Sequence, residues 1–101
     1  MISTMSHHDW MIDYLKDPKN ATSHLNAEAE EGELRYLLMA LRDVVEAQGG
    51  IRALAKKTGL SRTTLYKTLS ETGNPEFRTL EAILAVYGIK IGFIPTAKAR
   101  A

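Results

Sequence analysis

Apolar residues recur with helical spacing in five stretches of this chain and alternate with strand spacing in one. The strongest stretch is Leu34, Leu37, Leu38, Leu41, Val44 and Val45, which predicts an amphipathic helix from about Glu33 to Gln48, ended by Gly49-Gly50. Before it, Asp17-Pro18 reads as an N-cap acid followed by proline at the first helical position, where the missing N–H is harmless. That helix is expected to reach about Glu31, with Ala21, Leu25 and Ala29 on one face and Gly32 as its stop. Its inward face is thin, so it needs a neighbour to hold it. Towards the C-terminus, Leu80, Ile83, Leu84 and Tyr87 predict a helix from about Arg78 to Tyr87, stopped by Gly88. The period then changes. Ile89, Ile91 and Phe93 alternate, which reads as a short strand closed by Pro95. A lone strand cannot satisfy its backbone groups. It is expected to pair with Trp10–Leu15, read as a strand or extended arm, or with a second copy of the chain.

Between these elements lies the stretch Ile51 to Leu69, IRALAKKTGLSRTTLYKTL. Ile51, Leu54 and Ala55 give a first helix its inward face, and Ala55 is small enough to let a neighbouring helix cross closely. Gly59 can take the positive φ needed where that helix stops. Leu60 plugs the corner, and Ser61 is a good N-cap for a second helix. Leu65 and Leu69 point inward from that helix, leaving Arg62, Thr63, Tyr66 and Lys67 outside and Thr64 near the edge. This is the spacing of a helix-turn-helix. Short hydrogen-bonding side chains at the exposed start of its second helix suit a DNA major groove. The competing reading is two ordinary packed helices with a solvated face. The pattern therefore predicts an all-α fold of five helices with a short C-terminal strand. Residues 1–15 form a tail or arm, 16–94 a single domain and 95–101 a tail.

Charge sharpens this picture. Residues 1–49 carry four Lys/Arg against nine Asp/Glu, a net of −5. Residues 50–72 carry Arg52, Lys56, Lys57, Arg62 and Lys67 against Glu71, a net of +4. The basic excess thus falls on the two-helix unit, the polarity a phosphate backbone selects. Arg52 and Lys56 are expected to neutralise phosphates at the groove edge, and Arg62, Thr63, Tyr66 and Lys67 to read bases, with Ser61 and Thr64 close enough to join them. Helix-turn-helix domains read two half-sites, so a homodimer is expected, with Ile89, Ile91 and Phe93 as its seam. The acidic front half should face away from DNA or meet a basic partner.

Composition adds exclusions. At 101 residues, 45% hydrophobic and 25% charged, the chain supports one globular domain. It has no cysteine, which removes disulfide and thiolate chemistry. It shows no membrane-length apolar run and no signal-peptide pattern at its start, so a cytoplasmic location without a membrane partner is expected. No cofactor, metal or catalytic residue is assigned. His7-His8-Asp9 lacks a second cluster that would close a metal site. His24, beside Glu28, reads as a half-exposed helix residue, and Ser61 as a cap with no histidine in its segment. Trp10 and Met39 read as packing residues. Gly49-Gly50 is not followed by the lysine and hydroxyl residue of a phosphate loop.

The run from Asp13 to Pro95 resembles the HigA-type addiction-module antidote family, small antitoxins with an Xre/Cro-like, lambda-repressor-like helix-turn-helix. The resemblance rests on DYLKDP (Asp13–Pro18), HLNAEAEEGE (His24–Glu33), LLMALRDVVEAQGG (Leu37–Gly50), LAKKTGLSRTTLYKTLSETGNP (Leu54–Pro75) and TLEAILAVYGIKI (Thr79–Ile91), and covers about four fifths of the chain. The order of these blocks is more specific than any one of them. It implies a DNA-binding antitoxin of a type II module. Such an antitoxin neutralises a RelE/ParE-like toxin, usually basic, and represses its own operon on double-stranded operator DNA. The acidic helix around Glu28, Glu30 and Glu31 is then the first choice for toxin contact. The family often has a longer acidic stretch near Gly32, and the opening MISTMSHHDW is unusual for it, which makes Met5 an alternative start. Two rivals stand beside this reading. One is a stand-alone prophage repressor of the same fold. The other is a protein-interaction module that binds no DNA.

Overall fold

The computed structural model describes residues 6–97. Six helices are present among them: α1 (His7–Tyr14), α2 (Pro18–Glu30), α3 (Leu34–Ala47), α4 (Gly50–Thr58), α5 (Arg62–Thr68) and α6 (Phe77–Val86). The most amphipathic stretch of the sequence becomes the central helix. α3 packs against α1, α2 and α4, and α4 in turn packs against α5 and α6. Leu38, Leu41 and Val44 of α3, Leu54 of α4, Leu65 of α5 and Ile83 of α6 are fully or almost fully buried. Burying one such leucine is worth about 1.5–3 kcal/mol, so this apolar core holds the short helices in place. α2 starts where the sequence places it: the Asp17 carboxylate accepts the Lys19 N–H at 2.9 Å, with Pro18 following. Ala21 and Leu25 hold α2 to the core, but the third expected inward residue, Ala29, is exposed, as is Leu34 at the start of α3.

Both chain ends differ from expectation. Trp10–Leu15 is neither strand nor arm but belongs to α1 and its C-cap. The Ser6 hydroxyl accepts the Asp9 N–H at 3.0 Å and nucleates the first turn. Leu15 is wholly buried, and Met11, one turn earlier, packs on the same core. The Gln48 side-chain amide, from the end of α3, donates to the carbonyls of Leu15 and Lys16, both at 3.0 Å, and satisfies acceptors that α1 leaves open. Only two positions of this short helix carry its inward periodicity, too few to stand out from the outward Trp10 and Tyr14. The expected C-terminal strand is also absent among the described residues. With α1 helical, it has no strand among the described residues to pair with. Ile89 instead donates its N–H to the Leu84 carbonyl at 3.0 Å, and Ile89 and Ile91 pack as irregular chain against the core. Phe93 and Ile94 stand 93% and 86% exposed. The alternative start at Met5, the first residues of the expected tail and the last four residues of the chain lie outside the described residues.

Candidate nucleic-acid interface

α4 and α5 meet across a three-residue turn, Gly59-Leu60-Ser61. Gly59 sits at φ +78°, the left-handed conformation that a Cβ would disfavour, and its N–H reaches the Ala55 carbonyl at 2.9 Å. Thr58, which the sequence reading passed over, completes the closure. Its hydroxyl donates to the Leu54 carbonyl at 2.8 Å and accepts the Leu60 N–H at 3.2 Å. A threonine followed by glycine at a helix end could have signalled this, since its hydroxyl bonds the carbonyl four residues back. Leu60 packs on the core as expected. Ser61 caps α5, its Oγ accepting the Thr64 N–H at 3.0 Å. Beyond α5, Gly73 approaches the chain so closely that a Cβ would lie 2.1 Å from the Thr68 carbonyl oxygen. The loop after α5 therefore folds back tightly onto the end of that helix, where Thr72, Gly73 and Asn74 line a shallow cleft with Lys67.

On this frame the eight residues singled out in the sequence divide between two packed helices and the turn that joins them, and all eight are exposed. Leu65 and Leu69 bury one side of α5. Arg62 and Tyr66 form one exposed row, one helical turn apart, and Thr63 and Lys67 form the next. Tyr66 is 61% exposed, a large ring held in water by the leucines behind it. Arg52 and Lys56, also one turn apart, are exposed on α4. None of Arg52, Lys56, Arg62 and Lys67 enters an ion pair among the described residues. Ser61 and Thr64 are less free. The Ser61 hydroxyl donates to Thr64 Oγ1 at 2.8 Å while accepting the Thr64 N–H, so its one donor hydrogen is used within the cap.

The acidic candidates lie elsewhere. Glu28 and Glu30 occupy the last turn of α2 and Glu31 is its C-cap. Glu30 and Glu31 are exposed, Glu28 is half-buried, and none of the three is ion-paired among the described residues. Carboxylates at a helix C-terminus face the negative end of its dipole, an unfavourable place. No hydrogen bond or ion pair joins His24 to Glu28 among the described residues. The His24 Nε2 lies 3.8 Å from the Asp43 carboxylate across the α2–α3 seam, sheltered from solvent and without a hydrogen bond. His8 of α1 bonds Glu46, about one turn beyond Asp43 on α3, at 2.8 Å. Two expected packing residues are surface residues: Trp10 is 49% and Met39 40% exposed.

A small, all-helical domain with an acidic front half and a basic, open two-helix face is thus defined. A model of the family described as "probable addiction module antidote protein" matches residues 4–95. An uncharacterized protein of Haemophilus influenzae is 31% identical over 80 residues, covering 79% of this chain and 81% of that protein. No solved structure gives a significant match. The chain belongs to the addiction-module antidote family.

Proposed function

We propose that this chain is a HigA-type antitoxin of a type II toxin–antitoxin module. It binds double-stranded operator DNA through an Xre/Cro-like helix-turn-helix, represses its own operon as a homodimer, and neutralises a RelE/ParE-like toxin in the cytoplasm. It acts by binding, not by catalysis. One observation carries the DNA-binding half: Arg62, Thr63, Tyr66 and Lys67 stand exposed on α5, Arg52 and Lys56 stand exposed on the packed helix α4, and the four cations are unpaired among the described residues. Arg62 is the first residue of α5, at the positive end of its dipole. Helix stability disfavours a cation there, whereas a guanine edge or a phosphate accepts one. Family membership supports the antidote half. The placement of Glu28, Glu30 and Glu31 against the dipole of α2 supports a surface kept for a cationic partner rather than for helix stability.

The test has two arms. Mobility-shift titrations on the chain's own promoter should show binding that weakens steeply with salt. Co-expression should rescue cells from the product of the neighbouring toxin gene. Salt-insensitive or absent promoter binding would remove the DNA-binding half. Promoter binding without rescue would leave a stand-alone repressor.

A further inference from the structure

Trp10 is the chain's one tryptophan, and it is half exposed on α1. Its indole stacks on Tyr14, with ring centroids 5.1 Å apart and planes 14° apart. On the other side it meets the His7 ring at 6.1 Å and 25°. His7, Trp10 and Tyr14 recur three and four residues apart, so they line one stripe of this two-turn helix. The stripe cannot roll inward. Met11 and Leu15 anchor the neighbouring face in the core, and the bond from His8 to Glu46 ties α1 to α3. A contiguous aromatic surface held in water marks an interaction site. Tryptophan and tyrosine are enriched among the residues that dominate binding energy. Rings already stacked lose little side-chain freedom when a partner covers them.

Charge decides the occupant. Asp9 and Asp13 are exposed on the same helix; Asp13 lies 3.6 Å from the exposed Lys16 ammonium, a solvent-screened pair that an incoming guanidinium would replace, and residues 1–49 carry the net −5 of the acidic half. Single-stranded nucleic acid stacks bases on such rings, but these carboxylates repel its phosphates. A guanidinium fits both features. It lies flat on an aromatic ring and donates to a neighbouring carboxylate. We propose that the His7–Trp10–Tyr14 stripe, with Asp9 and Asp13 beside it, is a docking surface for an arginine-bearing patch on a basic protein. On the antidote reading above, that protein is the toxin. The stripe then carries the fixed contact, and Glu28, Glu30 and Glu31 of α2 steer the approach.

The lone tryptophan makes the test direct. Chain labelled with 5-fluorotryptophan gives one fluorine resonance, which reports Trp10 alone. It is titrated with the purified, unlabelled product of the neighbouring toxin gene, with a single-stranded oligonucleotide, and by dilution. The expected result is a line that moves with toxin and with neither other condition. Trp10→Ala should weaken the complex about tenfold or more. Paired Asp9→Lys and Asp13→Lys changes should weaken it while leaving α1 folded by circular dichroism, and Trp10→Phe should keep most of the affinity. A complex that forms with the line unmoved overturns the proposal and leaves the antidote reading standing. Failure of the unaltered chain to bind toxin sinks both. A line that moves on dilution assigns the stripe to a second copy, and one that moves with oligonucleotide assigns it to nucleic acid. Either result overturns the proposal.

Discussion

The two halves of this domain share one core and carry opposite surfaces. Residues 50–72 hold a net +4 around two short helices whose outer residues are small, polar or cationic, Tyr66 being the one large ring among them. Residues 1–49 hold a net −5 around three helices whose outer faces show carboxylates, the Trp10–Tyr14 stack and Met39. α3 and α4 pack against each other and join the halves. A surface suited to phosphates and one suited to a basic protein cannot be the same surface, because each repels the other's ligand. Segregating them lets one small core present both. The lesson is that local charge matters where net charge does not: with the net +2 of residues 73–101, the whole chain comes to only +1.

The largest expected effect comes from breaking what the halves share. Leu65 is wholly buried at the base of α5. Leu65→Ala should cost about 2–5 kcal/mol of stability, through lost burial and the cavity left behind. Urea unfolding measures this directly. Because Leu65 belongs to the common core cluster, toxin rescue and promoter binding should fail together as temperature rises. If Leu65→Ala instead abolishes DNA binding while toxin rescue survives to the unaltered chain's temperature, the halves are energetically independent.

A change on the surface of one half should spare the other. Arg62→Ala removes a cation from the exposed start of α5. If its guanidinium grips a guanine, operator binding should fall by about 1–3 kcal/mol, with base preference relaxed at one position. Binding to operator and to scrambled DNA gives the answer. Equal losses on both would end the base-reading role, and any loss of toxin rescue would blur the division between halves.

How far the sequence showed this division differs between the halves. In α4–α5, each requirement falls on a residue with a distinctive chemistry: Gly59 for a positive φ, Ser61 for a cap, and Leu65 and Leu69 for the core. Local pattern and tertiary structure therefore agree there. At the chain ends they part. α1 exists because Ser6 caps its start and Gln48, far along the chain, closes its end. No local window contains that second bond. Ile89 and Ile91 alternate as a strand would, yet both pack on the core and the strand they would pair with is a helix. The site was legible in part for the same reason. Its cations were plain from position, but the mutual bonding of Ser61 and Thr64 and the role of Thr58 depend on geometry. Nothing in the local pattern tells Trp10 from a packing residue; the burial of Met11 and Leu15 on the neighbouring face turns it outward, half exposed.

The acidic half offers the converse surface test. Reversing Glu28, Glu30 and Glu31 to lysine should slow toxin association about tenfold at low salt, an effect of steering rather than of contact. Stopped-flow association at low and high salt would show the difference shrinking as screening grows. Promoter binding should not weaken. If the rate is unchanged at low salt, α2 plays no part in capture and the acidic surface that matters lies on α1 or α3.

The smallest expected change is also the one that best separates phosphate contact from base reading. Lys56 lies in the last turn of α4, where its charge also favours the C-terminal end of the helix dipole. Lys56→Ala therefore loses a few tenths of a kcal/mol of helix stability as well as any phosphate contact. Stability must be measured beside affinity. A phosphate contact carries no sequence information, so its loss should weaken binding equally on operator and scrambled DNA. It also releases one counterion fewer, so the slope of log affinity against log salt should fall by roughly one unit. Arg62→Ala should differ by losing more on operator than on scrambled DNA. If Lys56→Ala leaves both the affinity and the slope unchanged, α4 lies clear of the backbone and the basic face is narrower than α5 and α4 together. If both variants leave DNA binding unchanged, the basic half has another use, and the division of labour between the halves fails with it.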